Sequence, residues 1–339
     1  MDTIAAIWDT IFTNPWLHGL FFGIVIATVA LTLVAWSIWF ERKLAGRMQN
    51  RVGPVFVGPA GLLQPLADAL KLMRKDFVVP READKALFIL SPVLLMFFAL
   101  ASLAVIPFGP DTVIADLDLG VLWVLAFAGL MLFPLWMAGW TSNNKYALFA
   151  GMRAVAQGIS YEVPMLLMAL VPVIYAGSFN LQDIVRYQAD HSWFIVWPPG
   201  PGIVAFVIFF IASLAEGNRI PFDIPEAESE LIAGVSVEYA GMSYGLFPFT
   251  EYLHSMIASA MASVLFLGGW SGPVFPGIHW MLLKTAILFT VILWMRWTLV
   301  RFRSDQLMRA CWRWLVPISV VVVCAAAVLR YFLLAGGAP

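Results

Sequence analysis

Residues 86–108 read ALFILSPVLLMFFALASLAVIPF, a stretch without a single charged side chain. A helical crossing of a bilayer takes about 20 consecutive apolar residues, so this run is long enough to span. The rest of the chain repeats the pattern. Similar runs lie near 17–40, 118–139, 152–176, 201–216, 238–268, 279–300 and 312–334, which makes eight candidate transmembrane helices. The 201–216 run is short, begins after Pro198-Pro199-Gly200 and stops at Glu216, as suits a helix that ends at a functional loop. The stretch 231–268 is overlong and must tilt or begin outside the hydrocarbon. No positive charge precedes Arg42, so the first run lacks the basic region of a cleavable signal and is expected to be retained. Of the 339 residues, 61% are hydrophobic and 12% charged, against a charged share of about 25% in soluble domains. The expected fold is an all-α integral membrane protein, a single polytopic domain over residues 1–339.

Charge sets the orientation and removes several functions. The net charge of −1 leaves no basic footprint for nucleic acid. Lys and Arg are concentrated in alternate loops: nine in 41–85, Lys145 and Arg153 in 140–153, Arg219 in 216–237 and five in 296–313, with only Arg186 in the opposite loops. Positive charge is retained on the cytoplasmic side, so the long charged loops are expected there, or in the matrix if mitochondrial, with both termini across the membrane. Cys311 and Cys324 form no CxxC, so thiolates alone build no iron–sulfur or zinc site. Glu251 and His254 make one E-x-x-H, whereas carboxylate-bridged di-metal sites need two plus further carboxylates; no metal is expected. No phosphate-cradling glycine motif is present, so nucleotide chemistry belongs on another chain.

The two long inner loops carry the chemistry. In 61–75, Leu62, Leu66, Leu70 and Met73 share one helical face while Gln64, Asp68, Lys71 and Lys75 take the other, the pattern of an amphipathic interfacial helix. It reads either as a surface helix whose charges face water or as the wall of a doorway for an amphipathic, lipid-soluble ligand. The 216–237 loop opens with five acids, Glu216, Asp223, Glu226, Glu228 and Glu230, around one cation, Arg219, interleaved with Ile220, Phe222 and Ile224. Such crowded carboxylates repel when ionised, so some must hold protons at raised pKa. Glu162 falls inside the fourth run, and Glu238 and Glu251 inside the sixth. A central carboxylate costs about 2.5–3.5 kcal/mol in a membrane, so these are expected to face a wet internal cavity. Cations are too few to neutralise all seven glutamates, and a proton relay accounts for the surplus.

Three ordered blocks resemble one family over nearly the whole chain. The first is Glu41-Arg42-Lys43, Arg51-Val52-Gly53-Pro54 and Gly61 to Leu72; the second is Gly139 to Asn143 with Arg153 to Gln157 and Ser160-Tyr161-Glu162; the third is Ala215 to Leu231, followed by Glu238-Tyr239 and Glu251-Tyr252. Together they resemble the H-type membrane subunit of proton-pumping NADH:quinone oxidoreductase, respiratory complex I. The resemblance implies eight transmembrane helices between the hydrophilic arm and the antiporter-like subunits, with phospholipid around them. NADH, FMN and iron–sulfur clusters would sit on partner subunits, and this chain would bind no cofactor, taking ubiquinone or another quinone as substrate. It further implies that Glu41, Arg42, Arg51, Gln64, Asp68, Lys71, Arg219, Phe222 and Asp223 belong to the quinone chamber. Glu162, Glu216, Glu226, Glu228, Glu230, Glu238 and Glu251 would form the acidic path coupling quinone reduction to pumping. A related membrane subunit of a proton-pumping hydrogenase and a lone secondary ion transporter are the alternatives. The complete Gly61 to Lys71 segment argues against the first, and the lack of an internal repeat argues against the second.

Overall fold

The computed structural model describes residues 15–110, 112–197, 200–226, 231–273 and 275–335. Within them the chain is helical, joined by turns and irregular segments. The helices are α1 (Pro15–Met48), α2 (Gln64–Arg74), α3 (Lys85–Leu103), α4 (Gly120–Leu130), α5 (Leu132–Thr141), α6 (Lys145–Ala176), α7 (Leu181–Asp190), α8 (Pro201–Glu216), α9 (Gly241–Phe266), α10 (Ile278–Thr298), α11 (Ser304–Ala310) and α12 (Val316–Ala335). α4 and α5 form one rod broken at Met131, and a π-helical turn, Cys311–Leu315, joins α11 to α12. Six of these rods are long and apolar enough to cross a membrane, and α8 is a shorter apolar helix. The protein is therefore an all-α, multi-pass membrane protein.

Helix length decides what lies where. At 1.5 Å per residue, the 34 residues of α1 reach about 51 Å, well beyond a hydrocarbon core of about 30 Å, so α1 is longer than a crossing requires. The 16 residues of α8 reach only about 24 Å. The chain therefore leaves helical structure at Glu216 before the core is crossed. Irregular backbone at such depth is tolerated where protein buries it or a wet cavity takes its polar groups.

α6 is the central rod, flanked by α5, α8 and α12, while α9 packs against α3, α8 and α10. One end of the bundle gathers the C-terminal ends of α1, α5, α8 and α10 with the N-terminal ends of α3, α6 and α9. Ties there include Asp84 N–H to the Thr141 carbonyl (3.3 Å) and Phe302 N–H to the Pro221 carbonyl (3.0 Å). The other end is closed by α7, a helix the hydropathy runs did not announce. Asn180 starts it, accepting from Gln182 N–H (2.7 Å) and Asp183 N–H (3.3 Å), as an N-cap does. There Gln188 donates to the Val264 carbonyl (2.9 Å). The Lys284 ammonium reaches the carbonyls of Leu267, Gly269 and Ser271 at 2.5–2.9 Å.

Two expectations change. The amphipathic helix expected over 61–75 begins only at Gln64, after a tight turn at Pro59–Gly61, because Gly61 takes φ +76° against the Pro54 backbone. Glu238 does not lie inside the sixth run. Helix α9 starts at Gly241, and Glu238 sits in the turn before it, accepting from Asn144 Nδ2 at 2.6 Å. The positive φ of Gly241 (+60°), with Lys75 and Asp76 carbonyls against its Cα, fixes where that helix can begin.

Candidate functional site

The seam between α1, α9, α10 and the loop after α8 is built from charge. Arg219 is 2% exposed and Glu41 3%, so neither finds solvent and each must find counter-charge. Arg219 Nε reaches Glu251 Oε1 (2.9 Å) and Ser255 Oγ (3.0 Å), and its Nη1 lies 4.0 Å from Glu41 Oε2. The guanidinium also stacks over the Tyr252 ring, 4.2 Å from its centre. Glu41 accepts from Tyr252 Oη (2.5 Å) and pairs with Arg296 Nη1 (3.0 Å). Two arginines and two glutamates from four parts of the chain thus close on one another. Glu41, Arg219 and Glu251 were legible in the sequence; Tyr252 stood beside Glu251 in the third block without a role, and Arg296 and Ser255 were not singled out. The signal for Arg296 was there, a cation inside the last turn of an apolar run.

A second group lies outside this seam. Arg42 Nη1 holds Asp68 Oδ2 (2.6 Å), and Gln64 Nε2 donates to Asp68 Oδ1 (2.9 Å), so the polar face of α2 turns towards α1. Its apolar face turns outwards: Leu66, Leu70 and Met73 are 58%, 54% and 66% exposed. Lys71 is exposed, and Arg51 Nε is engaged by Gln49 Oε1 (2.6 Å) on an exposed turn. Phe222 points elsewhere, buried between the rings of Tyr161 (5.7 Å) and Phe302 (5.8 Å). Asp223 Oδ1 accepts from Glu226 N–H at 3.3 Å.

Deeper in, an internal cavity of about 70 Å³ is lined by Glu216, Glu226, Glu251, His254, Asn218 and Thr250 among apolar neighbours. About 10–15 Å³ measured this way admits one water, so several fit. Among the described residues, neither carboxylate oxygen of Glu216 nor Nδ1 of His254 has a hydrogen-bond partner, although all are buried. Buried polar atoms demand partners, and the residues that carry these line a space large enough for water. Gln157 holds the floor in place, its Nε2 donating to the carbonyls of Ala215 (2.6 Å) and Phe222 (2.7 Å). In the loop, the Glu251 carboxylate, followed by desolvation and Asp223, pushes Glu226 up to about 8, against the pull of Arg219 and Arg296. Glu226 keeps an exposed edge in the isolated chain, so the neighbouring negative charge is the cause that counts most. Desolvation, then Glu251, pushes Asp223 up to about 6.

Glu162 is separate. It lies near the midpoint of α6, in a groove of about 600 Å³ lined by Gly129, Leu132, Phe133, Trp136, Val155 and Ile159. Its carboxylate rests directly on Gly129, where a Cβ would collide with it. Leu132 lines both spaces, seated over Gly158 so closely that a Cβ there would clash. Glu228 and Glu230 fall outside the described residues.

The sequence profile of a family described as NADH dehydrogenase matches residues 22–327. Relatives of similar length are named as the H-type subunits of NADH-quinone oxidoreductase. That of Desulfotalea psychrophila is 45% identical over 307 residues, covering 88% of this chain and 92% of its own. That of Rhodospirillum rubrum is 44% identical over 316 residues (90% and 93%). That of Geobacillus thermodenitrificans is 44% identical over 319 residues (92% and 95%). A profile match spanning most of the chain, relatives aligned over nearly their whole length and a multi-pass bundle agree. The chain belongs to the NADH dehydrogenase family, among the H-type membrane subunits of NADH-quinone oxidoreductase, and is one subunit of an oxidoreductase rather than a whole active site.

Proposed function

We propose that this chain forms the membrane-side doorway of the quinone chamber and the first section of a proton path that responds to quinone reduction. The observation that carries the reading is the cavity shared by Glu216, Glu226 and Glu251, with both Glu216 oxygens buried and unpartnered among the described residues. A carboxylate kept for structure alone would be paired, because leaving it bare costs far more than a pairing contributes. One kept for proton exchange needs water, other acids and a changeable charge nearby.

The doorway is α2 with the end of α1. Gln64, Asp68 and Arg42 form its polar wall, and Leu66, Leu70 and Met73 its lipid-facing lip. An amphipathic quinone meets an apolar surface for its tail and charged donors for its head. In this reading Lys71 and Arg51 stand at the headgroup rim, Glu41, Arg219 and Asp223 belong to the chamber behind the wall, and Phe222, packed between Tyr161 and Phe302, braces the loop that carries them. Negative charge developing on the bound head favours proton uptake by nearby acids, Glu226 and Glu251 first, with Glu228, Glu230 and Glu238 on the same loop supplying the group. Protons then gather at Glu216, from which Glu162 is the next carboxylate.

In this reading eight segments cross the bacterial inner membrane, or its mitochondrial counterpart, with both termini outside and the charged loops inside. The hydrophilic quinone-site subunits cover the inner loops, and antiporter-like subunits continue the path. NADH, FMN and the clusters stay on those partners, as does the direct proton donor to the quinone.

Glu216→Gln in the assembled complex tests it. Quinone turnover and proton pumping are expected to fall together, while NADH oxidation by a hydrophilic artificial acceptor is retained. Wild-type quinone turnover with wild-type pumping would sink the reading.

A further inference from the structure

The cavity holds one titratable side chain that the acidic path leaves unused. His254 sits one helical turn after Glu251 on α9, 6% exposed. Residues three apart on a helix share a face, and both side chains line the same space as Glu216. Nδ1 of the ring has no partner among the described residues. It lies against Gly217, the residue after Glu216: a Cβ on Gly217 would stand 3.1 Å from it. The ring therefore shares one cavity with the acid that contacts Arg219 and the acid left without a partner. No other side chain with both a donor and an acceptor in an aromatic plane is in that position among the cavity's lining residues.

We propose that His254 is the proton-relaying group between Glu251 and Glu216, acting through the water that the cavity admits. The neutral imidazole carries one N–H and one lone pair. A proton accepted at one ring nitrogen from cavity water on the Glu251 side, supplied by the Glu226 carboxyl that lines the same space, is matched by a proton released from the other towards Glu216. The ring ends neutral in its other tautomer and resets when it turns. Charge balance is kept because one carboxyl loses a proton and one carboxylate gains it. The charged groups that face the imidazole are Glu216 from α8, Glu251 from its own helix, and Glu226 and Arg219 from the loop. Arg219 stays bound to Glu251 and Ser255, so the guanidinium holds position while the ring exchanges protons. Gly217 matters because any larger residue there would press on Nδ1.

This inference rests on the acidic path proposed above, and the test separates the two. In membranes holding the assembled complex, His254→Phe keeps an aromatic ring and removes both nitrogens. Quinone-coupled pumping is expected to slow roughly ten-fold, less than the ~10²-fold or more of losing a direct acid–base group, because cavity water still bridges. His254→Gln, which restores a donor and an acceptor but cannot pass a proton through itself, is expected to assemble normally and still to slow pumping and change its pH profile. Gly217→Ala changes no titratable group and is expected to shift the same profile by crowding Nδ1. If Glu216→Gln impairs pumping while His254→Gln and His254→Phe keep the wild-type rate and pH profile, the relay role is wrong and the acidic path stands. Should the Phe variant fail to assemble, the Gln and Gly217→Ala profiles decide alone: wild-type profiles in both refute the relay.

Discussion

At the scale of single residues, burial turns charge into an obligation. Arg219 and Glu41 are almost without solvent, and a buried pair that loses one member leaves the other uncompensated, at about 3–5 kcal/mol. Arg219→Gln is therefore expected to lower the amount of assembled complex, because Glu251 loses the cation it touches and Glu41 keeps Arg296 alone. Arg219→Lys should rescue only part, since one ammonium cannot serve Glu251, Ser255 and the Tyr252 face at once. Normal assembly of Arg219→Gln, judged by native gel, would contradict this. Glu226 behaves in the opposite sense. Its carboxyl is raised from 4.5 to about 8, so between those values the folded chain holds a proton that the unfolded chain has lost. The stability this contributes is full below the unfolded value and is lost as pH rises to and through the folded one. Glu226→Gln removes that decline, and the thermal midpoint of the complex is expected to vary less between about pH 5 and 9, a window on the order of the carboxyl's own shift. A midpoint with unchanged pH dependence would assign the raised pKa no consequence.

Among elements, the shortness of α8 and the break in the α4–α5 rod do most to shape the site. Because α8 stops at Glu216, a carboxylate and a loop stand where a longer helix would have placed apolar side chains. The break at Met131 precedes Leu132, which lines both the Glu216 cavity and the Glu162 groove. An isobutyl group neither donates nor accepts a hydrogen bond, so in the proposed path the step from Glu216 to Glu162 waits on the Leu132 side chain moving aside. Leu132→Ala is expected to leave quinone reduction near wild type and to lower the protons pumped per quinone, by joining the two spaces and admitting back-flow. An unchanged pumping ratio in membranes of verified assembly would remove the barrier role. Helix α2 shows the reverse relation, in which an element is held by a few polar bonds while its apolar side is left outwards.

For the whole molecule, seventeen of the twenty Lys and Arg residues fall in one set of alternate loops, and the bundle brings those loops to one end through the Asp84, Glu41 and Phe302 contacts. The positive-inside bias then favours the cytoplasm for that end. Single cysteines introduced at Lys75 and at Arg186, in a chain whose Cys311 and Cys324 are replaced, report the orientation. The first is expected to react with a membrane-impermeant thiol reagent only from the cytoplasmic face, and the second only from the opposite face. Labelling of both from one face would invert or break the topology.

Hydropathy and charge determined the class of this protein, because a 23-residue run without a charge has few stable environments other than a bilayer or a fully buried core, and repetition of such runs leaves the bilayer. The glutamates in and around those runs were legible for the same reason: an acid within apolar sequence is costly and invites a functional explanation. Helix α7 escaped because it is only ten residues long and carries Asp183, Arg186 and Asp190, so a hydropathy window passes over an amphipathic pattern and over its cap, Asn180. Where Glu238 lies relative to α9 was also beyond the pattern, since that boundary is set by Gly241 meeting the backbone of residues 75 and 76, a contact between segments far apart in sequence. Arg296 joined the site for the same kind of reason, and His254 and Tyr252, visible beside Glu251 in the sequence, took their places in the cavity and the seam only through it. Nothing in their own sequence neighbourhoods says which carboxylates will stand opposite. That pairing depends on how α1, α8, α9 and α10 converge, and burial then forces each charge to take the partner that convergence puts within reach.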